Sequence, residues 1–245
     1  MILVANEISG TVTVAQIETK SSSGGSSSGG SSSGGSSSSG SSSGGSSSGN
    51  GSAVKPEQPK DEPPVVFADV NEQDWFYDAV QYMALRKLMS GTGNDQFSPQ
   101  QPTNRAMMVT MLYRLAGEPE VQKAASFNDV PVGSYYADAV AWAEANGLTN
   151  GVGAGAFAPE RVLSRQELAS MLYRFAQFQG LDVTAKGKIS HFADQPDSWA
   201  RSAMEWCVGI GVINGTSQTT LSPLSGATRA QMAVIFSRFL QWKEA

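Results

Sequence analysis

A capping side chain, an arginine and an apolar helix face follow one another three times in this chain, at Asn104-Arg105, Ser164-Arg165 and Thr228-Arg229. The arginines are spaced by 60 and then 64 residues, and other landmarks move with them. Phe67-Ala68-Asp69, Phe127-Asn128-Asp129 and Phe192-Ala193-Asp194 open the units, and Trp75, Tyr135 and Trp199 follow shortly after. A glycine loop comes next (Gly91-Thr92-Gly93, Gly151-Val152-Gly153, Gly215-Thr216), then Phe97-Ser98-Pro99, Phe157-Ala158-Pro159 or Leu221-Ser222-Pro223. Recurrence at this period means an array of similar supersecondary units that bury their apolar faces against one another.

Each unit reads as two helices. In the second, the first helix is expected from about Tyr136 to Asn146, with Gly147 as the left-handed stop and Leu148 folding back as the cap contact. Gly211-Val212 repeats this in the third unit, whereas Lys87-Leu88 replaces it in the first, which should be less well capped. The second helices carry apolar residues at i, i+3, i+4 and i+7: Met108, Met111, Leu112 and Leu115; Leu168, Met171, Leu172 and Phe175; Met232, Ile235, Phe236 and Phe239. Such stripes are the core faces of amphipathic helices. Ser164 with Glu167 and Thr228 with Gln231 fit capping boxes, while Asn104 can cap but Met107 cannot reciprocate.

Upstream, residues 21–52 are almost entirely Ser and Gly and cannot bury a core. Such a tract is expected to be a flexible coil with a reach of roughly 30 Å, followed by a stiffer proline-rich collar up to Pro64. Residues 1–20 alternate weakly around Ser9-Gly10, which suggests a short hairpin, the stump of a larger upstream domain. The expected organisation is therefore a stump at 1–20, a linker at 21–64 and repeats at 65–120, 121–185 and 186–245.

Charge and composition exclude several classes of function. The formal net charge is −5, and the part after Pro64 is also mildly acidic, unlike nucleic-acid binders with their basic stripes. Cys207 and His191 are the single cysteine and histidine, so neither an intrachain disulfide, a cysteine-rich zinc site nor a recurring Ser-His-Asp or Cys-His set can be assembled. Cys207 reads as a small core hydrophobe and His191 as a loop residue. The glycine loops follow helices rather than strands and lack the lysine of a phosphate-binding loop. Asp78 and Asp138 read as acids of a first helical turn, not as a catalytic pair with Asp74, and Asn94-Asp95-Gln96 lacks the ligand pattern of a calcium loop. No cofactor or metal is expected. No apolar run approaches the ~20 residues needed to cross a bilayer, and the N-terminus does not read as a secretion signal, so an export signal would have to lie upstream.

Arg105, Arg165 and Arg229 fall in the first turn of a helix, where a cation opposes the helix dipole. Three such placements call for a reason, and two are open. Helix amides and a guanidinium fork could converge on a carboxylate or phosphate, or each arginine could pair with the Asp of a repeat opening, Asp69, Asp129 or Asp194. Arg114, Arg174 and Arg238 recur nine residues later, on the opposite side of the helix, and read as a solvated face or as partners of nearby acids.

The pattern Phe-x-Asp, aromatic, glycine loop, Phe-x-Pro and Arg at a helix start resembles the S-layer homology (SLH) module, here in three tandem copies from Val66 to about Leu240. The resemblance implies an all-α, pseudo-threefold assembly of two-helix repeats. It also implies a non-catalytic, extracellular anchor whose inter-repeat grooves hold an anionic, pyruvylated secondary cell-wall polysaccharide, with no nucleic acid bound and no membrane insertion. It maps the family's motif arginine onto Arg105, Arg165 and Arg229 and its loop glycines onto Gly91, Gly151 and Gly215. Trp75, Tyr135 and Trp199 are candidates to stack on sugar faces, although packing between repeats is the commoner fate of such aromatics. The motif departs from the family in Met107 and Gln231 after the arginine, Gln195 after Asp194, and Leu221 in place of Phe. A module clasping a partner's helix or an acidic peptide is the alternative reading.

Overall fold

The computed structural model describes residues 63–245; the hairpin expected at 1–20 and nearly all of the linker at 21–64 lie outside the described residues. The described residues form six α-helices: α1 (Tyr77–Leu85), α2 (Arg105–Leu115), α3 (Ala137–Ala145), α4 (Arg165–Phe178), α5 (Arg201–Gly209) and α6 (Arg229–Glu244), with a 3₁₀ turn at Ser198–Ala200 before α5. Only isolated β-bridges accompany them among the described residues, so the class is all-α. The second helix of each repeat starts where its cap dictates. The side chains of Asn104, Ser164 and Thr228 accept from the amides of Met107, Glu167 and Gln231, and the last two pairs complete reciprocal boxes. Each such cap is worth ~1 kcal/mol.

The first helices end alike. Gly147 (φ 68°) and Gly211 (φ 73°) are left-handed, and Leu148 and Val212 return hydrogen bonds to Ala143 O (2.8 Å) and Cys207 O (2.9 Å). Lys87 adopts the same conformation (φ 58°), and Leu88 N reaches Met83 O at 2.9 Å. The weaker first cap thus lies in backbone strain and not in missing bonds. Replacing Lys87 by glycine is expected to stabilise the protein by about 1 kcal/mol, the left-handed penalty of a residue with a Cβ, which urea unfolding would measure.

The packing is not by repeat. Each second helix lies against the first helix of the following repeat, α2 on α3 and α4 on α5, and the last helix α6 closes on the first, α1. Across these seams Tyr113 meets Trp142 (5.6 Å between ring centroids) and Tyr173 meets Trp206 (5.5 Å). At the α6–α1 seam Glu244 pairs with Arg86 (3.0 Å) and accepts from the Tyr82 hydroxyl (3.3 Å). The stripes of the second helices form the core: all of their residues are buried except Leu115, which is partly so. The rings of Phe175 on α4 and Phe239 on α6 lie 6.1 Å apart between centroids.

The segments before the second helices meet in a closed ring of three backbone hydrogen bonds. Thr103 N donates to Ala227 O (2.8 Å), Ala227 N to Leu163 O (3.0 Å) and Leu163 N to Thr103 O (2.9 Å). All three residues are buried, so the ring satisfies groups that would be costly to leave unpaired. This cycle marks the pseudo-threefold axis.

Candidate functional site

Each repeat builds the same loop. Asp69 accepts from the amides of Phe97 and Ser98 (2.7 and 2.8 Å), Asp129 from those of Phe157 and Ala158 (both 2.7 Å), and Asp194 from those of Leu221 and Ser222 (both 2.7 Å). The clamp holds Ser98, Ala158 and Ser222 in the left-handed region, at φ 56°, 57° and 55°. The Leu221 amide bond holds the Asp194 carboxyl below its ordinary pKa. For Asp129 partial burial pushes upward, but the amides of Phe157 and Ala158 and the charge of Arg105 outweigh it. The opening phenylalanine packs beneath: a Cβ on Gly91, Gly151 or Gly215 would lie within 3.0 Å of both a loop carbonyl oxygen and Phe67, Phe127 or Phe192. These glycines permit a close approach.

The arginines at the helix starts reach into the loop of the next repeat. Arg105 Nε donates to Phe157 O (2.8 Å) and its Nη2 to Thr149 Oγ1 (3.3 Å). Arg165 donates to Leu221 O (3.1 Å) and Asn214 O (2.7 Å), and Arg229 to Phe97 O (2.8 Å) and Ser90 O (2.7 Å). Arg105 and Arg229 also lie over the rings of Phe157 (4.7 Å) and Phe97 (4.6 Å), a contact that Leu221 denies to Arg165. The three cations latch repeat one to two, two to three and three to one.

Both explanations expected for these arginines need correction. The helix amides are not open to an anion: Arg105 N and Ala106 N donate to Arg161 O and Pro159 O, Arg165 N and Gln166 N to Ser225 O and Pro223 O, and Arg229 N and Ala230 N to Gln101 O and Pro99 O. Nor does any of the three form an ion pair with Asp69, Asp129 or Asp194 among the described residues, where the sole acid within 4.0 Å is Glu167, beside Arg105 Nη1. The Asp carboxylates are engaged by the loop amides instead. Burial pushes the arginines below their usual pKa, and the charges of Asp129, Asp194 and Asp69 work against it; guanidinium remains protonated. Each Nη1 is left without a hydrogen-bond acceptor among the described residues.

Three surface grooves collect these groups. Groove one (about 390 Å³) is lined by Arg229, Gly91, Arg114 and Tyr135. Groove two (about 330 Å³) is lined by Arg105, Gly151, Arg174 and Trp199, and groove three (about 370 Å³) by Arg165, Gly215, Arg238 and Trp75. Every groove therefore takes its latch arginine from the preceding repeat, its glycine loop from its own and its aromatic from the following one. Trp75, Tyr135 and Trp199 are 65, 64 and 55 % exposed, so they are not packed away between repeats. Trp75 and Tyr135 stand edge-on to the buried Phe76 and Tyr136 at 5.3 and 5.0 Å.

Arg114, Arg174 and Arg238, expected on a solvated face, prove to be groove residues. Arg114 and Arg174 donate to Leu88 O (3.0 Å) and Leu148 O (3.4 Å). With the Asn214 amide turned to donate to Ile213 O, its oxygen accepts from Arg238 Nη1 at 3.2 Å. The expected acid pairing holds for Arg114, 3.7 Å from Glu118. Lying on opposite sides of one helix puts the two arginines of α2 in different grooves, and the same is true of α4 and α6. Their recurrence at the repeat period was the signal that could have found them.

Cys207 is buried with its thiol pushed far up by desolvation, as a core residue would be, and His191 is exposed beside Phe192. Among the described residues no His, Cys, Asp and Glu group could hold a metal ion, and no helix is long and apolar enough to cross a membrane.

The chain is an all-α repeat domain closed head to tail, with a cationic groove at every junction. The S-layer homology domain model matches residues 66–107, 126–169 and 191–233, and the chain belongs to this family. It is 34 % identical over 169 residues to the surface-layer 125 kDa protein of Lysinibacillus sphaericus, covering 67 % of this chain and 14 % of that protein. It is 27 % identical to exoglucanase XynX of Acetivibrio thermocellus (72 % of this chain, 16 % of that one) and 26 % identical to an S-layer protein of Bacillus thuringiensis subsp. finitimus (70 % and 21 %). The chain thus spans less than a quarter of the length of each of these relatives. Domains of this family anchor surface proteins to the cell wall.

Proposed function

We propose that this chain anchors an exported protein to the bacterial cell wall, outside the cell, by holding secondary cell-wall polysaccharide that bears pyruvate ketals in its inter-repeat grooves, and that it catalyses no reaction itself. A pyruvate ketal is a carboxylate carried on a sugar. The observation that carries the reading is the composition of each groove, in which at least two guanidinium groups, three in groove two with Arg161, stand with an exposed aromatic face. Arginine suits a carboxylate through its planar fork of donors, and an exposed aromatic offers an apolar face to a sugar ring.

The test is sedimentation of the protein with purified cell-wall sacculi that retain or have lost the pyruvylated polymer. Binding is expected to need the polymer. It is expected to fall at least tenfold in an Arg114→Ala/Arg174→Ala/Arg238→Ala variant, losses of more than 1.4 kcal/mol in all. These arginines are the right targets because each donates to a single acceptor, whereas the latch arginines also hold the fold. Undiminished binding after extraction of the polymer defeats the reading. Affinity for a protein partner with none for the wall would favour a docking module.

A further inference from the structure

The three grooves differ at the third residue of the second helix that lines them, which is Met107 in groove one, Glu167 in groove two and Gln231 in groove three. The Glu167 carboxylate is pinned. Its Oε2 accepts from Ser164 N (3.0 Å) and Ser164 Oγ (2.9 Å), and its Oε1 pairs with Arg161. The same Oε1 lies 4.0 Å from Arg105 Nη1, the end of the latch arginine that has no hydrogen bond among the described residues. Arg161 lines groove two as well, so that groove holds three guanidinium groups and one carboxylate, whereas grooves one and three hold two guanidinium groups and no carboxylate among their lining residues.

A second difference divides them in the same way. In the loops of grooves one and three a threonine and a serine hydroxyl meet at 2.6 Å, Thr92 with Ser98 and Thr216 with Ser222. Groove two has Val152 and Ala158 at these positions and offers a sugar an apolar surface there.

Resting on the anchoring reading above, we propose that the chain holds two carboxylate-bearing sugars, in grooves one and three, and that the Glu167 carboxylate disfavours such a sugar in groove two. A ligand carboxylate bonded to Arg105 Nη1 would sit a few ångströms from Glu167 Oε1; Arg161 offsets part of that charge, and the competition of two carboxylates for one guanidinium end weakens binding by about tenfold. Protonation offers Glu167 no easy escape. Partial burial raises its pKa, but the bonds from Ser164 and the charge of Arg161 overrule this and leave it below the ordinary value. Movement would cost α4 its reciprocal cap.

Isothermal titration of the full chain with a monosaccharide bearing one pyruvate ketal tests this, since a monovalent probe counts sites. Two sites are expected. Glu167→Gln is expected to add a third within about tenfold of the others, and it keeps the cap, as Gln231 does on α6. The converse change, Gln231→Glu with Ser225→Arg, is expected to reduce the count to one. Three equal sites in the unaltered chain, or counts unmoved by either exchange, overturn the inference while leaving the anchor intact. No binding of the probe at all removes the reading beneath it and the inference together.

Discussion

Gly151→Ala is expected to lower the stability of the protein by about 3 kcal/mol or more, the range of single changes that strain a fixed backbone and force neighbours apart. Two effects add. Gly151 is left-handed at φ 72°, which costs a residue with a Cβ about 1–2 kcal/mol. The new Cβ would also lie 2.4 Å from Ala156 O and 2.6 Å from the Phe127 ring, so the loop or the ring beneath it must move. Gly147→Ala separates the terms. Gly147 has a similar φ of 68° with nothing within 4 Å of its Cβ position, so that change should cost only the backbone penalty of about 1–2 kcal/mol. Thermal unfolding would show the contrast, at roughly 2–4 °C per kcal/mol for a domain of this size. Equal losses in the two variants would mean that the approach of Phe127 to the loop carries no weight.

Arg229→Ala is the second large effect expected, a loss of about 3 kcal/mol. Its guanidinium is buried and donates to two carbonyls, Phe97 O and Ser90 O, each of which costs about 1–3 kcal/mol if left without a partner. Water entering the vacated space would keep the sum towards the lower end. Arg229→Lys should recover no more than part of it, since an ammonium lacks the planar fork that spans both acceptors. Arg238→Ala, on the same helix, should cost under about 1 kcal/mol because its contact is with a single side-chain amide. Denaturant titrations of the three variants measure the ranking. An Arg229→Ala protein as stable as Arg238→Ala would show that the latch does not hold repeat three to repeat one.

Helix existence, starts and core faces were legible because they are local. The stripe from Met232 to Phe239 and the box of Thr228 with Gln231 need only helical geometry to be read. Pairing was not legible. Spacing says which face of α2 is apolar but not that α3, of the next repeat, covers it. The latch arginines stand out in the sequence for opposing a helix dipole, yet their partners are carbonyls 52, 56 and 132 positions away, which no local rule reaches. Arg114 and its counterparts read in the sequence as a solvated face or as partners of nearby acids, because a position opposite the latch arginine looks like solvent on one isolated helix. In a closed ring both sides of that helix border a groove. Ser98, Ala158 and Ser222 carried no glycine to announce their left-handed backbones, which the Asp clamp imposes from 28 or 29 residues away.

Closure of the last helix on the first decides how this domain bears tension. A pull from the upstream chain arrives at Val65, whose amide and carbonyl are both bonded to the buried Gln81 side chain of α1 (2.8 and 2.7 Å). From α1 the load passes on along the chain and also towards α6, through a seam that no covalent connection spans and that packing, the Arg86–Glu244 pair and the Arg229 latch hold. Groove one straddles that seam, with Arg229 and Met232 on one side and the loop of repeat one on the other. A glycan seated there would bridge a joint that no covalent bond spans.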